Sequence, residues 1–135
     1  MKVILDTNVI FAAFAARGLA HSLFELCIDK HTIIISNYIL GELKRAFLKK
    51  LKLPPDTIKL ILNFLKEICI IEDSSEIKDI KCRDKDDLKI LRLAKNSKPD
   101  YIITGDNDLL VLKQFLNIPI VCPREFWQRQ NKKIK

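Results

Sequence analysis

The chain has 135 residues, 48% of them hydrophobic, and a formal net charge of +7 at pH 7. This length and apolar content predict one core and one domain, residues 1–130, followed by a short basic tail at residues 131–135. No apolar run approaches the roughly 20 residues of a membrane span, and Asp6 interrupts the apolar start before a secretion signal develops. We therefore expect a cytoplasmic protein without a membrane partner.

The positive charge and the spacing of the cysteines further limit the classes of protein to which the chain can belong. Positive charge favours a polyanionic partner, although lysine-rich helix faces also serve solubility alone. The four cysteines lie far apart in the chain, at positions 27, 69, 82 and 122, and there are two histidines. This spacing predicts neither a zinc site nor a disulfide framework.

Four short β-branched runs alternate along the chain with longer segments of helical period. The predicted strands are residues 2–5, 32–35, 101–104 and 119–122, and their continuous apolar character is typical of parallel strands buried on both faces. The predicted helices are residues 19–29, 37–51, 55–69, 86–95 and 107–116, with Gly18 ending an initial helical segment. The polar residues 73–83 predict a loop, with a short extra strand near residues 77–80. Alternating strands and helices predict a parallel α/β sheet with right-handed crossovers.

Two aspartates lie just beyond the carboxyl ends of predicted strands. Asp6 comes after the first strand, and Asp106 comes after the third. Ligand sites of open parallel sheets lie beyond the carboxyl ends of the strands, so both residues are candidates for a site. A single aspartate in such a turn is more often a helix cap, but two at one edge of the sheet favour a site. Asp108 stays open as a replacement or an assistant for Asp106.

Glu42 lies on the predicted helix 37–51, beside its apolar stripe. The stripe contains Ile39, Leu43 and Phe47, and Glu42 follows the three- and four-residue spacing that places it next to them. A glutamate beside an apolar face costs free energy unless another group compensates its charge. This position therefore favours a functional role.

The acidic run at residues 84–87 contains one inward-facing acid by the same test. Asp87 shares its helical spacing with the apolar residues Ile90 and Leu91, whereas Asp86 is expected to face Lys89 or solvent. Asp84 is the predicted helix cap. Asp87 is therefore the candidate site residue of this run.

Four carboxylates that meet at one edge of a sheet raise each other's pKa values unless a cation compensates their charge. Mg²⁺ and Mn²⁺ are the obvious cations, because these hard ions take oxygen ligands. One or two such ions can activate water against a phosphodiester, so no serine or histidine nucleophile is needed. We expect Asp6 to be the central metal ligand, Asp87 and Asp106 to complete the shell, and Glu42 to bind a second ion or orient the attacking water.

Two neutral residues next to these acids are further candidates. Asn8 and Thr104 carry hydrogen-bonding groups that can orient a carboxylate or a metal-bound water. Ordinary turn and strand-end chemistry explains both residues equally well.

The acidic segments resemble the ordered motifs of PIN-domain proteins. They are residues 5–10 (LDTNVI), 40–43 (LGEL), 83–87 (RDKDD) and 104–109 (TGDNDL). Residues 123–126 (PREF) resemble the terminal motif of a PIN branch whose members are often VapC-like toxins of toxin–antitoxin pairs. The resemblance covers nearly the whole chain. It implies a three-layer α/β sandwich with a central parallel sheet and helices on both faces. It also implies a ribonuclease that depends on a divalent metal and cuts RNA. A homodimer and an antitoxin protein that binds the chain are further implications.

Carried over by position, the family's acids fall on the same four residues that the strand-end and stripe arguments select. These are Asp6, Glu42, Asp87 and Asp106. The chain departs from the family pattern at Lys85, where relatives often have proline, and at Leu88, which shortens an acidic run.

Three other classes share part of this pattern. A haloacid-dehalogenase-like phosphatase also begins with a strand and an aspartate, but it needs a second aspartate where this chain has Asn8. A response-regulator receiver needs paired acids after its first strand. A non-catalytic RNA-binding or partner-binding module has no need for Glu42 and Asp87 beside apolar faces.

Overall fold

The computed structural model describes residues 1–72 and 85–134, which build a six-stranded sheet between helices. The strands are β1 (Lys2–Leu5), β2 (Thr32–Ile35), β3 (Ile70–Ile71), β4 (Tyr101–Ile103), β5 (Gln114–Phe115) and β6 (Ile118–Val121). They follow the order β3-β2-β1-β4-β6-β5. The first five strands in this order are parallel to one another, and β5 pairs antiparallel with β6 at the edge.

Helices cover both faces of the sheet and complete the three-layer α/β sandwich, which confirms the expected fold class. The helices are α1 (Thr7–Ala15), α2 (Leu19–Lys30), α3 (Asn37–Lys49), α4 (Pro55–Ile68), α5 (Lys85–Ser97), α6 (Asn107–Leu110) and α7 (Pro123–Ile134). Local chemistry explains where two of them begin. The Ser36 hydroxyl accepts a hydrogen bond from the Ile39 N–H at 3.1 Å and caps α3. Pro55 occupies the first position of α4, where its missing N–H costs nothing.

The central strands are buried on both faces, which is why their sequences are continuously apolar. In β1, Val3, Ile4 and Leu5 are all inaccessible to solvent, and Ile102 and Ile103 of β4 are equally buried. Burying each such side chain contributes about 1.5–3 kcal/mol. This packing fixes the carboxyl ends of β1 and β4 relative to each other.

The strand order reverses direction at β1. The chain proceeds from β1 to β2 and β3 on one side, and it returns to β4 and β6 on the other side. The Asp6 N–H donates to the Ile103 carbonyl oxygen at 3.0 Å, so the pairing of β1 with β4 extends into the turn that carries this acid. Open parallel sheets place ligands at such a switch point.

The region after α6 differs from its sequence prediction. Residues 107–116 were expected to form one helix, but α6 ends at Leu110 and residues 114–115 form β5. Leu116 and Asn117 have φ values of 50° and 68°, so they form a two-residue turn with both residues in the left-handed region. This backbone joins β5 to β6 as a tight hairpin, which the apolar spacing of the segment concealed.

Smaller differences concern element boundaries. Gly18 is the residue before α2, while α1 already ends at Ala15, and the two-residue strand β3 was not predicted. Helix α7 continues to Ile134, beyond the proposed boundary of the domain at residue 130, and the division into domain and tail stays a prediction. The expected loop at residues 73–83, with its extra strand, lies outside the described residues.

Within residues 1–72 and 85–134, no single helix has the length and apolar character needed to cross a bilayer. Helices α1 and α2 reach that length and composition only when they are taken together, and they are bent by 107° at the break between them.

Candidate metal centre at the carboxyl ends of β1 and β4

A polar pocket of about 400 Å³ opens at the carboxyl ends of β1 and β4. Its walls carry the acids Asp6, Glu42, Asp86, Asp87 and Asp106, the cations Arg45, Lys49 and Lys50, and the residues Thr7, Asn8 and Ala46. These side chains come from the turn after β1, the start of α1, helix α3 and the residue that follows it, the start of α5, and the turn after β4. All four acids that the sequence selected therefore lie around one space.

Asp6 is held by a hydroxyl from the neighbouring strand end. Thr104 Oγ1 donates to Asp6 Oδ2 at 2.7 Å and accepts a hydrogen bond from the Asp106 N–H at 3.0 Å. Thr104 is 0% exposed, so its hydroxyl has no solvent alternative to these two partners. Burial raises the pKa of Asp6, the Thr104 hydrogen bond opposes this effect, and the negative charge of Asp106 adds to it.

Glu42 is held in the same way by a residue that sequence reasoning missed. Thr7 Oγ1 donates to Glu42 Oε1 at 2.8 Å. Burial raises the pKa of Glu42, this hydrogen bond lowers it, and the charges of Asp86 and Asp6 raise it further. The only sequence signal for Thr7 was its place next to Asp6, because the direction of its hydroxyl depends on how α1 packs against α3.

Three carboxylates converge more closely than the rest. Oxygen atoms of Asp87, Asp106 and Asp108 lie within 4.8 Å of one another. Asp87 is 3% exposed, whereas Asp108 faces solvent. Asp106 also acts as the cap of α6, because its Oδ1 accepts from the Asp108 N–H at 2.8 Å. Asp106 and Asp108, which the sequence left as alternatives, thus lie side by side.

Asp86 lies at the pocket wall, although its helical position predicts that it faces solvent or Lys89. Its carboxylate accepts a hydrogen bond from the Tyr38 hydroxyl, and this bond raises the pKa of Tyr38 to about 12. Lys89 instead places its ammonium group 5.4 Å from the centre of the Tyr38 ring. The supporting candidate Asn8 lines the pocket with an exposed side chain, and Asp84 lies outside the described residues.

Comparisons with known proteins establish the family of the chain. A family model described as the PIN domain matches residues 2–108. The chain belongs to the PIN domain family. A protein of Methanocaldococcus jannaschii, the uncharacterised protein MJ1680, is 28% identical to this PIN domain over 141 residues, which cover 93% of the chain and 89% of that protein.

Two crystal structures share the fold of this PIN domain. VapBC2 of Rickettsia felis, bound to a DNA fragment from its promoter, matches with a TM-score of 0.62 and 20% identity. The matched region covers 90% of this chain and 98% of the VapBC2 chain. VapC20 of Mycobacterium tuberculosis, a toxin that cleaves the sarcin-ricin loop, matches with a TM-score of 0.61 and 12% identity. The matched region covers 87% of this chain and 98% of the VapC20 chain. At these identities, the likeness establishes the fold.

The residues of this PIN domain fit a divalent cation. The donor atoms at the convergence of Asp87, Asp106 and Asp108 are all carboxylate oxygens, which hard divalent ions prefer. Asp6 and Glu42 lie in the same pocket, and the raised pKa of each shows that the charge of its carboxylate is unfavourable there. A cation among these oxygens would remove that cost.

Proposed function

We propose that the chain is an endoribonuclease that depends on Mg²⁺ or Mn²⁺ and cuts RNA phosphodiester bonds. The observation that carries this proposal is the meeting of four carboxylates from four separate segments in one pocket: Asp6, Glu42, Asp87 and Asp106. Membership of the PIN domain family supports it. The fold shared with a toxin that cleaves the sarcin-ricin loop also supports it.

Each acid has a role that follows from its position. Asp87 and Asp106, assisted by Asp108, provide the closest set of oxygens for an ion, and Asp6 provides a further ligand whose orientation Thr104 fixes. Glu42 is available to bind a second ion or to orient and deprotonate the attacking water, with Thr7 holding its Oε1. A bound divalent ion supplies Lewis-acid chemistry at the phosphodiester. Asn8, exposed at the pocket wall, is available to hydrogen-bond the substrate.

The same proposal includes a biological setting. The chain acts in the cytoplasm as the toxin of a toxin–antitoxin pair, forms a homodimer, and is restrained by an antitoxin protein. Support for the antitoxin comes from the fold shared with VapBC2 of Rickettsia felis. Support for an RNA substrate comes from the net charge of +7 and from the cations in the pocket wall.

The decisive experiment incubates the purified chain with labelled single-stranded RNA in Mn²⁺, in Mg²⁺ and in a chelator. We expect cleavage only with a metal, and a loss of at least about 100-fold in Asp6→Asn, because this change removes a proposed ligand but keeps its size. Asp29→Asn, an exposed acid of α2 outside the pocket, is the matched control and should cleave like the parent.

Two results would overturn the proposal. Equal cleavage by the parent and by Asp6→Asn would indicate a contaminating nuclease. Binding of RNA without cleavage in either metal would favour the alternative of a non-catalytic RNA-binding module. The phosphatase alternative has no support from the family match.

A further inference from the structure

Three cations extend the acidic pocket along one face of α3. Arg45, Lys49 and Lys50 line the same pocket as the acids. Arg45 and Lys49 follow Glu42 by three and seven residues, a spacing that places them on the same side of a helix. With a rise of about 1.5 Å per residue, Lys49 lies about 10 Å beyond Glu42 along the helix axis. The pocket is therefore acidic at one end and basic at the other.

The three cations form no ion pair with the described acids of the pocket, although Arg45 is close enough to Glu42 for their charges to interact. In the part of the chain that the structure describes, none of the three lies within ion-pair distance of a carboxylate, although five acids line the same pocket. All three side chains are exposed. Lys50 is positioned by an aromatic ring, since its Nζ lies 5.4 Å from the centre of the Phe11 ring.

The opposite face of α3 carries lysine in a different setting. Lys44 lines a groove of about 450 Å³ between α3 and α4, together with Lys59, Lys66 and mainly apolar residues. Among the residues that the structure describes, no acid lines that groove, so its lysines lie apart from the carboxylates that would act on a bound polyanion. Position on the helix, and not positive charge alone, therefore distinguishes the two groups of cations.

We propose that Arg45, Lys49 and Lys50 form a basic track that binds the phosphates on one side of the scissile bond of a single RNA strand. This inference rests on the proposed function, because it assumes that the scissile phosphate lies at the acidic end of the pocket. The Arg45 guanidinium, nearest to Glu42 in the sequence, offers a forked pair of donors to one phosphate. Lys49 and Lys50 offer point charges to the phosphates that follow. Such contacts fix the register of the strand but do not depend on its base sequence.

The test compares two variants of equal charge. The double variant Arg45→Gln/Lys49→Gln removes two cations of the track, and Lys44→Gln/Lys59→Gln removes two from the α3–α4 groove. Fluorescence anisotropy measures the Kd for a labelled single-stranded RNA at several salt concentrations, in an Asp6→Asn background that prevents cleavage. Circular dichroism of each protein shows that it is folded.

We expect the track variant to bind RNA at least about 10-fold more weakly at low salt. Its slope of log Kd against log salt should fall by about 1.4, because each of the two lost phosphate contacts to a single strand contributes about 0.7. The groove variant should keep the parent's slope. In cleavage assays with the Asp6 side chain restored, the track variant should raise KM for a 12-nucleotide RNA. The groove variant Lys44→Gln/Lys59→Gln should keep the parent's KM for the same RNA.

The outcomes separate the two proposals. If the parent cuts RNA and the track variant keeps the parent's Kd and salt slope, or the groove variant loses as much, the track is wrong and the ribonuclease proposal survives. If the parent cuts no RNA in either metal but the track variant loses binding as expected, the three cations bind RNA, and the placement of a scissile bond beside them falls with the catalytic proposal.

Discussion

Two threonine–carboxylate pairs orient acids of the pocket, and they differ in what lies behind them. Thr104 donates to Asp6 at 2.7 Å, and Thr7 donates to Glu42 at 2.8 Å. The first pair joins two neighbouring strand ends whose backbones are also hydrogen-bonded, through Asp6 N–H and Ile103 oxygen. The second pair joins α1 to α3 through side chains. The same contact is thus supported by the sheet in one case and only by helix packing in the other.

This difference predicts unequal consequences when the pairs are broken. Thr104 also accepts the N–H of Asp106, so one hydroxyl connects two of the proposed metal ligands. Thr7 has one such partner in the pocket, and its acid lies on a partly exposed face of α3. The strand-end pair should therefore matter more for both stability and activity.

Of the changes that break these two pairs, Thr104→Val is expected to have the larger effect. Valine has the shape of threonine but no hydroxyl, so the change leaves Asp6 without this donor and the Asp106 N–H without its acceptor in a buried place. We expect the free energy of unfolding to fall by about 2–3 kcal/mol. We also expect metal-dependent cleavage to fall by about 10–100-fold, as is typical when an orienting partner of a metal ligand is lost. Urea denaturation and RNA cleavage measure the two losses.

Thr104→Ser is the matched control, because it keeps the hydroxyl and removes only the methyl group. Cleavage by this variant should stay within a few-fold of the parent. If serine and valine reduce cleavage equally, the methyl packing and not the hydrogen bonds would explain the effect, and the role given to Thr104 would be wrong.

A smaller effect is expected from Thr7→Val. The lost hydrogen bond to Glu42 is partly accessible to water, so we expect a cost of about 1 kcal/mol in urea denaturation, below that of Thr104→Val. Cleavage should fall by about 10-fold, because Glu42 loses its fixed orientation. A loss of stability equal to that of Thr104→Val would remove the proposed difference between the two pairs.

The sequence predicted the central sheet well, because buried strands carry a strong local signal. Residues 2–5 and 32–35 coincide with β1 and β2. The edge was harder to predict, since β3 has two residues and the turn between β5 and β6 contains no glycine. Left-handed backbone at Leu116 is stabilised by the pairing of the strands and has no signal in the residue type.

The candidate acids were also accessible to sequence reasoning, for two different reasons. Asp6 and Asp106 follow strands, and Glu42 and Asp87 interrupt apolar stripes, so each position has a local explanation. The orienting role of Thr7 and the place of Asp86 beside Tyr38 depend on contacts between helices that are distant in the chain. The structure brings the acids to one pocket, and their catalytic roles stay predictions.

The smallest effect is expected from Glu42→Gln in metal-free buffer, and it has the opposite sign. The folded-state pKa of Glu42 lies above its ordinary value of 4.5, so ionisation of this side chain favours the unfolded state. The ionisation of Glu42 therefore lowers the stability of the parent as the pH rises above about 4.5, and the glutamine variant lacks this contribution. Glutamine also keeps an oxygen for the Thr7 donor. Because Glu42 is partly exposed, we expect a gain of only about 0.5 kcal/mol at pH 7.

Two comparisons separate this electrostatic effect from a general effect of removing charge. Glu67→Gln changes an exposed glutamate of α4 outside the pocket and should leave the Tm unchanged. Mn²⁺ at the same concentration should stabilise the parent more than Glu42→Gln, because an ion that binds the folded state more tightly adds more stability. The metal should thus cancel or reverse the advantage of glutamine. A Tm of metal-free Glu42→Gln below that of the parent would mean that the burial of Glu42 and the neighbouring acids do not make its charge unfavourable, and the argument for a cation beside it would lose its physical basis.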